Sequence, residues 1–103
     1  MIVTVVEARV SAEKHGALCA EFERVVAHAS SVLVQTMLLR CARDGEWWCI
    51  AAIQTDDDAF EEEVYEPGSI DIFRSVGIEP TSVSHFRIVD AVERPAGVIS
   101  IES

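Results

Sequence analysis

The chain has 103 residues, which is room for one domain with one hydrophobic core. Half of them are hydrophobic and a quarter are charged, a globular composition and not a disordered one. With 18 acidic against 8 basic residues the formal net charge is -10. Such a chain repels phosphate backbones and anionic bilayers, so neither nucleic acid nor membrane is an expected partner.

No apolar run approaches the ~20 residues of a spanning helix. The opening Met1-Ile2-Val3-Thr4-Val5-Val6 has no basic region before it and no cleavage-like site after it, so a signal peptide is not expected and a cytoplasmic address is. Cys19, Cys41 and Cys49 are an odd set without CxxC spacing, which reads as buried thiols in a reducing compartment.

In chain order, residues 2–10 form a strand, rich in β-branched side chains and free of breakers. Ser11 is placed to cap a helix that runs to about Ala29, with Leu18, Phe22, Val25, Val26 and Ala29 on one face. Residues 32–42 and 47–54 are the next two strands. Between them stands Asp44-Gly45, the signature of a two-residue hairpin turn in which both positions need positive φ. That turn pairs Cys41 with Trp48, Leu39 with Ile50, Met37 with Ala52 and Gln35 with Gln54, all on one face. Both hairpin faces are mostly apolar. One small subunit has helices for only one of them, so a second copy is expected on the other.

Thr55 and the acids Asp56-Asp57-Asp58 suit the start of a second helix, with Phe60, Val64 and Tyr65 inside it and Pro67-Gly68 at its end. A short helix through Ile70, Ile72, Phe73 and Val76 follows, stopped by Gly77. Residues 82–90 alternate as a fourth strand, with Val83, His85, Arg87 and Val89 on one side. The domain is expected to span 1–92. The tail, 93–103, has a stretch Val98-Ile99-Ser100-Ile101 that reads as a short strand against a partner subunit, or as frayed chain.

Strand, helix, strand, strand, helix, strand in about 90 residues is the split-βαβ, ferredoxin-like α+β pattern with an antiparallel sheet. The start Met1-Ile2-Val3-Thr4-Val5, the helix after it and the hairpin leading straight into an acidic helix start resemble the antibiotic biosynthesis monooxygenase family. The resemblance covers about residues 1–90. It implies a dimeric α+β barrel with a ligand between sheet and helices, and oxidation of quinols or polycyclic aromatics without metal or flavin. On that pattern Ala52, Gln54 and Glu63 stand where the family often has Glu, Trp and His. No His lies in 56–66, so haem ligation from the second helix is not expected and no cofactor is.

Among single residues, His85 on the fourth strand is suited to a general base near neutral pH. Trp48 offers a flat ring to an aromatic substrate, and Tyr65, Phe60, Phe73 and Gln54 are the further candidates for the wall of a cleft. No His/Cys/Asp cluster has metal spacing, and the acidic run 56–63 lacks the turn glycine of a calcium loop. The expected function is a cofactor-independent, monooxygenase-like reaction on a small aromatic or quinol compound in an apolar cleft. The alternative is a non-catalytic small-molecule-binding or scaffold barrel that has lost the active-site residues.

Overall fold

The structure is a computed structural model and describes residues 1–28, 33–55 and 68–92. Four strands, β1 (Ile2–Arg9), β2 (Leu33–Arg40), β3 (Trp47–Gln54) and β4 (Ser82–Arg87), form one antiparallel sheet in the order β2-β3-β1-β4. Helix α1 (His15–Val26) joins β1 to β2, and α2 (Gly68–Ser75) lies between β3 and β4. The element order is therefore βαββαβ, a ferredoxin-like α+β fold. Among the described residues no helix is long and apolar enough to cross a membrane.

Burial alternates strictly along β1: Ile2, Thr4, Val6 and Ala8 point into the interior and their neighbours do not. The register carries this parity across the sheet, opposite Gln54, Ala52, Ile50 and Trp48 of β3. Leu18 of α1 and Ile72 and Phe73 of α2 complete one core with Val6, Ala8, Val10, Trp48, Ile50 and Ile78. Both helices thus cover the same sheet face. Leu18 and Phe73 are fully buried, and each contributes about 1.5–3 kcal/mol of transfer free energy.

The helices differ in detail from the expectation. The chain after Ser11 makes a 3-10 turn over Ala12–Lys14 before α1 begins, and the Ser11 side chain caps nothing; its carbonyl accepts the Lys14 N–H instead. Ala29 lies outside the described residues. Gly77 does stop α2. Its φ of 79° is a left-handed value, its N–H donates to the Arg74 carbonyl, and the Ile78 N–H donates to the Phe73 carbonyl. This is a Schellman end, and its hydrophobic contact is the core pair Phe73 and Ile78.

The hairpin register is one residue away from the expected one. Leu38 faces Ile50, Thr36 faces Ala52 and Arg40 faces Trp48, so Leu39 and Met37 lie on the opposite face. The cause is the loop. Gly45 does not take positive φ. Instead Asp44 Oδ1 accepts the Glu46 N–H at 3.0 Å, the Asp44 carbonyl accepts the Trp47 N–H, and Cys41 N–H reaches the Trp47 carbonyl. The connection is a five-residue loop, and an odd loop turns β2 over relative to a two-residue turn. The expected second helix start at 56–66 and the tail strand lie outside the described residues.

Candidate functional site

Four register rows cross the helix-covered face. The row containing His85 runs His85, Thr4, Ala52, Thr36. The next row toward the start of β1 holds Arg87, Ile2 and Gln54. Val83, Val6, Ile50 and Leu38 form the apolar row on the other side of His85. Thr4, Gln54, His85 and Arg87 therefore gather at one end of the face, with the apolar row next to them and a row of Ala8, Trp48 and Arg40 at the other end.

Thr4 is fully buried. Its Oγ1 lies 3.0 Å from His85 Nδ1, inside hydrogen-bonding range. His85 itself is exposed at the edge strand, so the pair joins the interior to the rim. Gln54 is 1% exposed and sits two residues along β1 from Thr4 through its pairing with Ile2. His85 and Gln54 are thus brought to the same end of the sheet.

Trp48 is placed elsewhere. It pairs with Ala8, four residues from Thr4 along β1, and on the far side of that strand from His85. A strand rise of ~3.3 Å and a strand spacing of ~4.8 Å put the two backbones about 16 Å apart. Trp48 is 7% exposed. Its indole N–H donates to the Gly45 carbonyl at 2.9 Å, its ring meets His15 at 4.7 Å, and the Arg40 guanidinium lies 5.7 Å over it. Arg40 also donates to the Gly45 carbonyl, which explains this charge within a strand: it sits at the strand end and ties down the loop. Phe73 is wholly enclosed in the core. Phe60 and Tyr65 lie outside the described residues.

Glu7 projects from the uncovered face, opposite Cys49 and Ser82. It accepts the Ser82 hydroxyl at 3.2 Å. Burial raises the Cys49 thiol above its ordinary value, and the Glu7 carboxylate adds to the rise. Among the described residues no group of three or more His, Cys, Asp or Glu is arranged to hold a metal ion.

Thr4 escaped the reading of the sequence. The signal was present: it is the one polar side chain on the buried parity of β1, between Ile2 and Val6. A buried hydroxyl needs a partner, and only the β1–β4 register supplies it.

No family profile matches the sequence, and no curated protein matches it. Solved structures do match by shape. SnoaB, a cofactor-independent oxygenase from Streptomyces nogalater, superposes in a variant form with a TM-score of 0.66 at 20% identity, over 90% of this chain and 97% of that one. A candidate antibiotic biosynthesis monooxygenase from Deinococcus radiodurans gives 0.67 at 12% identity, over 92% and 99%. An MhuD variant with two manganese protoporphyrin IX per active site gives 0.63 at 16% identity, over 91% and 100%. The chain has the fold of the antibiotic biosynthesis monooxygenases along nearly its whole length.

Proposed function

We propose that this chain is a cofactor-independent, monooxygenase-like enzyme acting on a small aromatic or quinol compound held against the helix-covered face of its sheet. The observation that carries this reading is the His85–Thr4 pair, a titratable ring hydrogen-bonded to a buried hydroxyl in an apolar face. In such a reaction the ionised substrate supplies the electrons that reduce oxygen. The protein needs a dry surface and one side chain that handles the proton at the substrate oxygen. His85 takes that role, with Gln54 as polar contact at the same end of the sheet. The named likeness to a cofactor-independent oxygenase supports the fold under this chemistry.

The test is oxygen uptake by purified protein over a panel of quinols and polyphenols. Uptake is expected, and His85→Gln should lower it by about 10²-fold or more, the usual worth of a proton-transfer group. No uptake with any member of the panel would sink the enzyme reading.

One observation favours a second reading. Trp48 and Phe73 are packed shut, so two of the expected ligand contacts are occupied by the core itself. A small-molecule-binding or scaffold barrel without catalysis would show this. It predicts ligand binding without oxygen uptake.

In either case we take the chain to act as a homodimer. The face opposite the helices carries Val3, Val5, Met37, Leu39, Cys49, Ala51, Ile53 and Phe86 in adjoining rows, with Leu39 43% and Phe86 57% exposed. A contiguous apolar patch of this kind marks an association surface.

A further inference from the structure

Resting on the homodimer proposed above, we infer that Glu7 makes self-association of this chain acid-strengthened: pairing two copies through the face opposite the helices closes over the Glu7 carboxyl, which takes up a proton as it is enclosed.

Strand parity leaves two charged side chains among the described strand residues of that face, Glu7 and Arg9. Glu7 stands in the row Leu39, Cys49, Glu7, Ser82 and is half-buried already in the single chain. From β4 the Ser82 hydroxyl donates to its Oε1 at 3.2 Å. From β3 comes the Cys49 thiol, pushed up by burial and then by the Glu7 carboxylate, so the two groups lie within electrostatic reach. Leu39 of β2 brings no charge. Along β1 the neighbours on this side are Val5 and Arg9. The Arg9 guanidinium is turned to the hairpin loop, where it donates to Asp44 at 3.1 Å and Glu46 at 3.5 Å and lies 5.5 Å over the Trp47 ring.

A second copy offers this face only what the face already has. Its one cation, Arg9, is held by two carboxylates, so pairing brings Glu7 no fresh counter-charge. The Ser82 hydroxyl remains as donor, and one neutral hydrogen bond does not offset the desolvation of a carboxylate. A protonated carboxyl costs far less to enclose. The dimer then holds more protons than two separate chains, and by linkage a falling pH drives association. With one proton per copy, the dimer dissociation constant changes by up to about 100-fold per pH unit. The change sets in as pH falls from neutrality toward the ordinary glutamate value of about 4.3, and stops below it, where the separate chains are protonated too.

Acid also relieves the repulsion between two chains of net charge -10, so the contribution of Glu7 is isolated by substitution. Sedimentation equilibrium gives the dissociation constant between about pH 7.5 and about pH 5, in about 0.5 M NaCl to screen the long-range repulsion. Glu7→Gln keeps the side-chain length and an acceptor for Ser82, and far-UV circular dichroism checks its fold. The wild-type dimer should tighten by about tenfold or more over this range. Glu7→Gln should already be the tighter dimer at the neutral end and change little. A wild-type dimer that is equally tight or looser in acid overturns the role of Glu7 without any variant, and so does an equal tightening of both proteins. A chain that stays monomeric at every pH sinks the dimer itself and the proton uptake with it, which keeps the two failures apart.

Discussion

Trp48 shows two demands on one side chain meeting at one place. Its ring fills the core between His15 and Arg40, and its N–H finds the Gly45 carbonyl. An aromatic residue next to a second tryptophan reads equally well as a ligand platform or as packing, because sequence does not show whether the polar tip is satisfied from within. Here it is. Trp48→Phe should lower stability by about 1 kcal/mol through the lost hydrogen bond, and Trp48→Ala by about 3–5 kcal/mol, both measured by urea unfolding. Oxygen uptake should stay at the wild-type rate in Trp48→Phe, since His85 lies on the other side of β1. A parallel loss of uptake would place Trp48 at the ligand. Thr4 is the converse case. It counts as an ordinary β-branched residue until the β1–β4 register sets it beside His85.

Elements are where the sequence was most legible, and where one dipeptide misled. The strands stand close to their expected places because β-branched runs bounded by polar or turn residues have few alternatives. Gly77 ended its helix because a left-handed position admits it cheaply. Gly77→Ala should therefore cost about 1–2 kcal/mol, seen as a lower urea midpoint with unchanged slope. The Asp44-Gly45 pair was harder. Its side chain, not its φ preference, decides the loop: Asp44 accepts the Glu46 N–H and pairs with Arg9 at 3.1 Å. The shifted register inverted β2 but left β3 where expected, since β3 is pinned by β1 on its other edge. The Glu46 N–H, with Arg9 adding to it, holds the Asp44 carboxyl below its ordinary value. A carboxyl lowered on folding contributes stability above its unfolded value of about 3.9, and that contribution disappears as pH falls through the folded value. Asp44→Asn keeps an acceptor for Glu46 and removes the charge. Its melting temperature should lie below wild type at neutral pH and converge with it in strong acid. A gap that persists unchanged into acid would mean the carboxylate charge is not what holds the loop.

For the whole molecule, the inverted β2 tests the dimer argument. A dimer face that required particular side chains of β2 to point outward would be lost with the register shift. This face is kept, because Met37, Leu38 and Leu39 make β2 apolar on both parities. The helices cover one face whichever register holds, and the other carries the half-buried Val3, Val5 and Ile53 beside the exposed Leu39 and Phe86. A stable pairing needs roughly 800 Å² from each partner, and a four-stranded sheet face is an element of that scale. Val5 sits in the middle row, between Ala51 and Ser84. Lysine there would force a charge into the joint at a desolvation cost that the monomer does not incur. The wild-type chain should sediment at twice its mass and Val5→Lys at its own mass, with the same far-UV circular dichroism. Cys49 reports on the same event chemically. It shares the uncovered face with Val5, and its thiol is already held above the ordinary value by burial and by Glu7. The thiolate is the reactive form, so alkylation by iodoacetamide should be slow in the dimer and faster in Val5→Lys. A wild-type chain that sediments as a monomer, with Cys49 alkylated at the same rate in both proteins, would leave this face uncovered in solution.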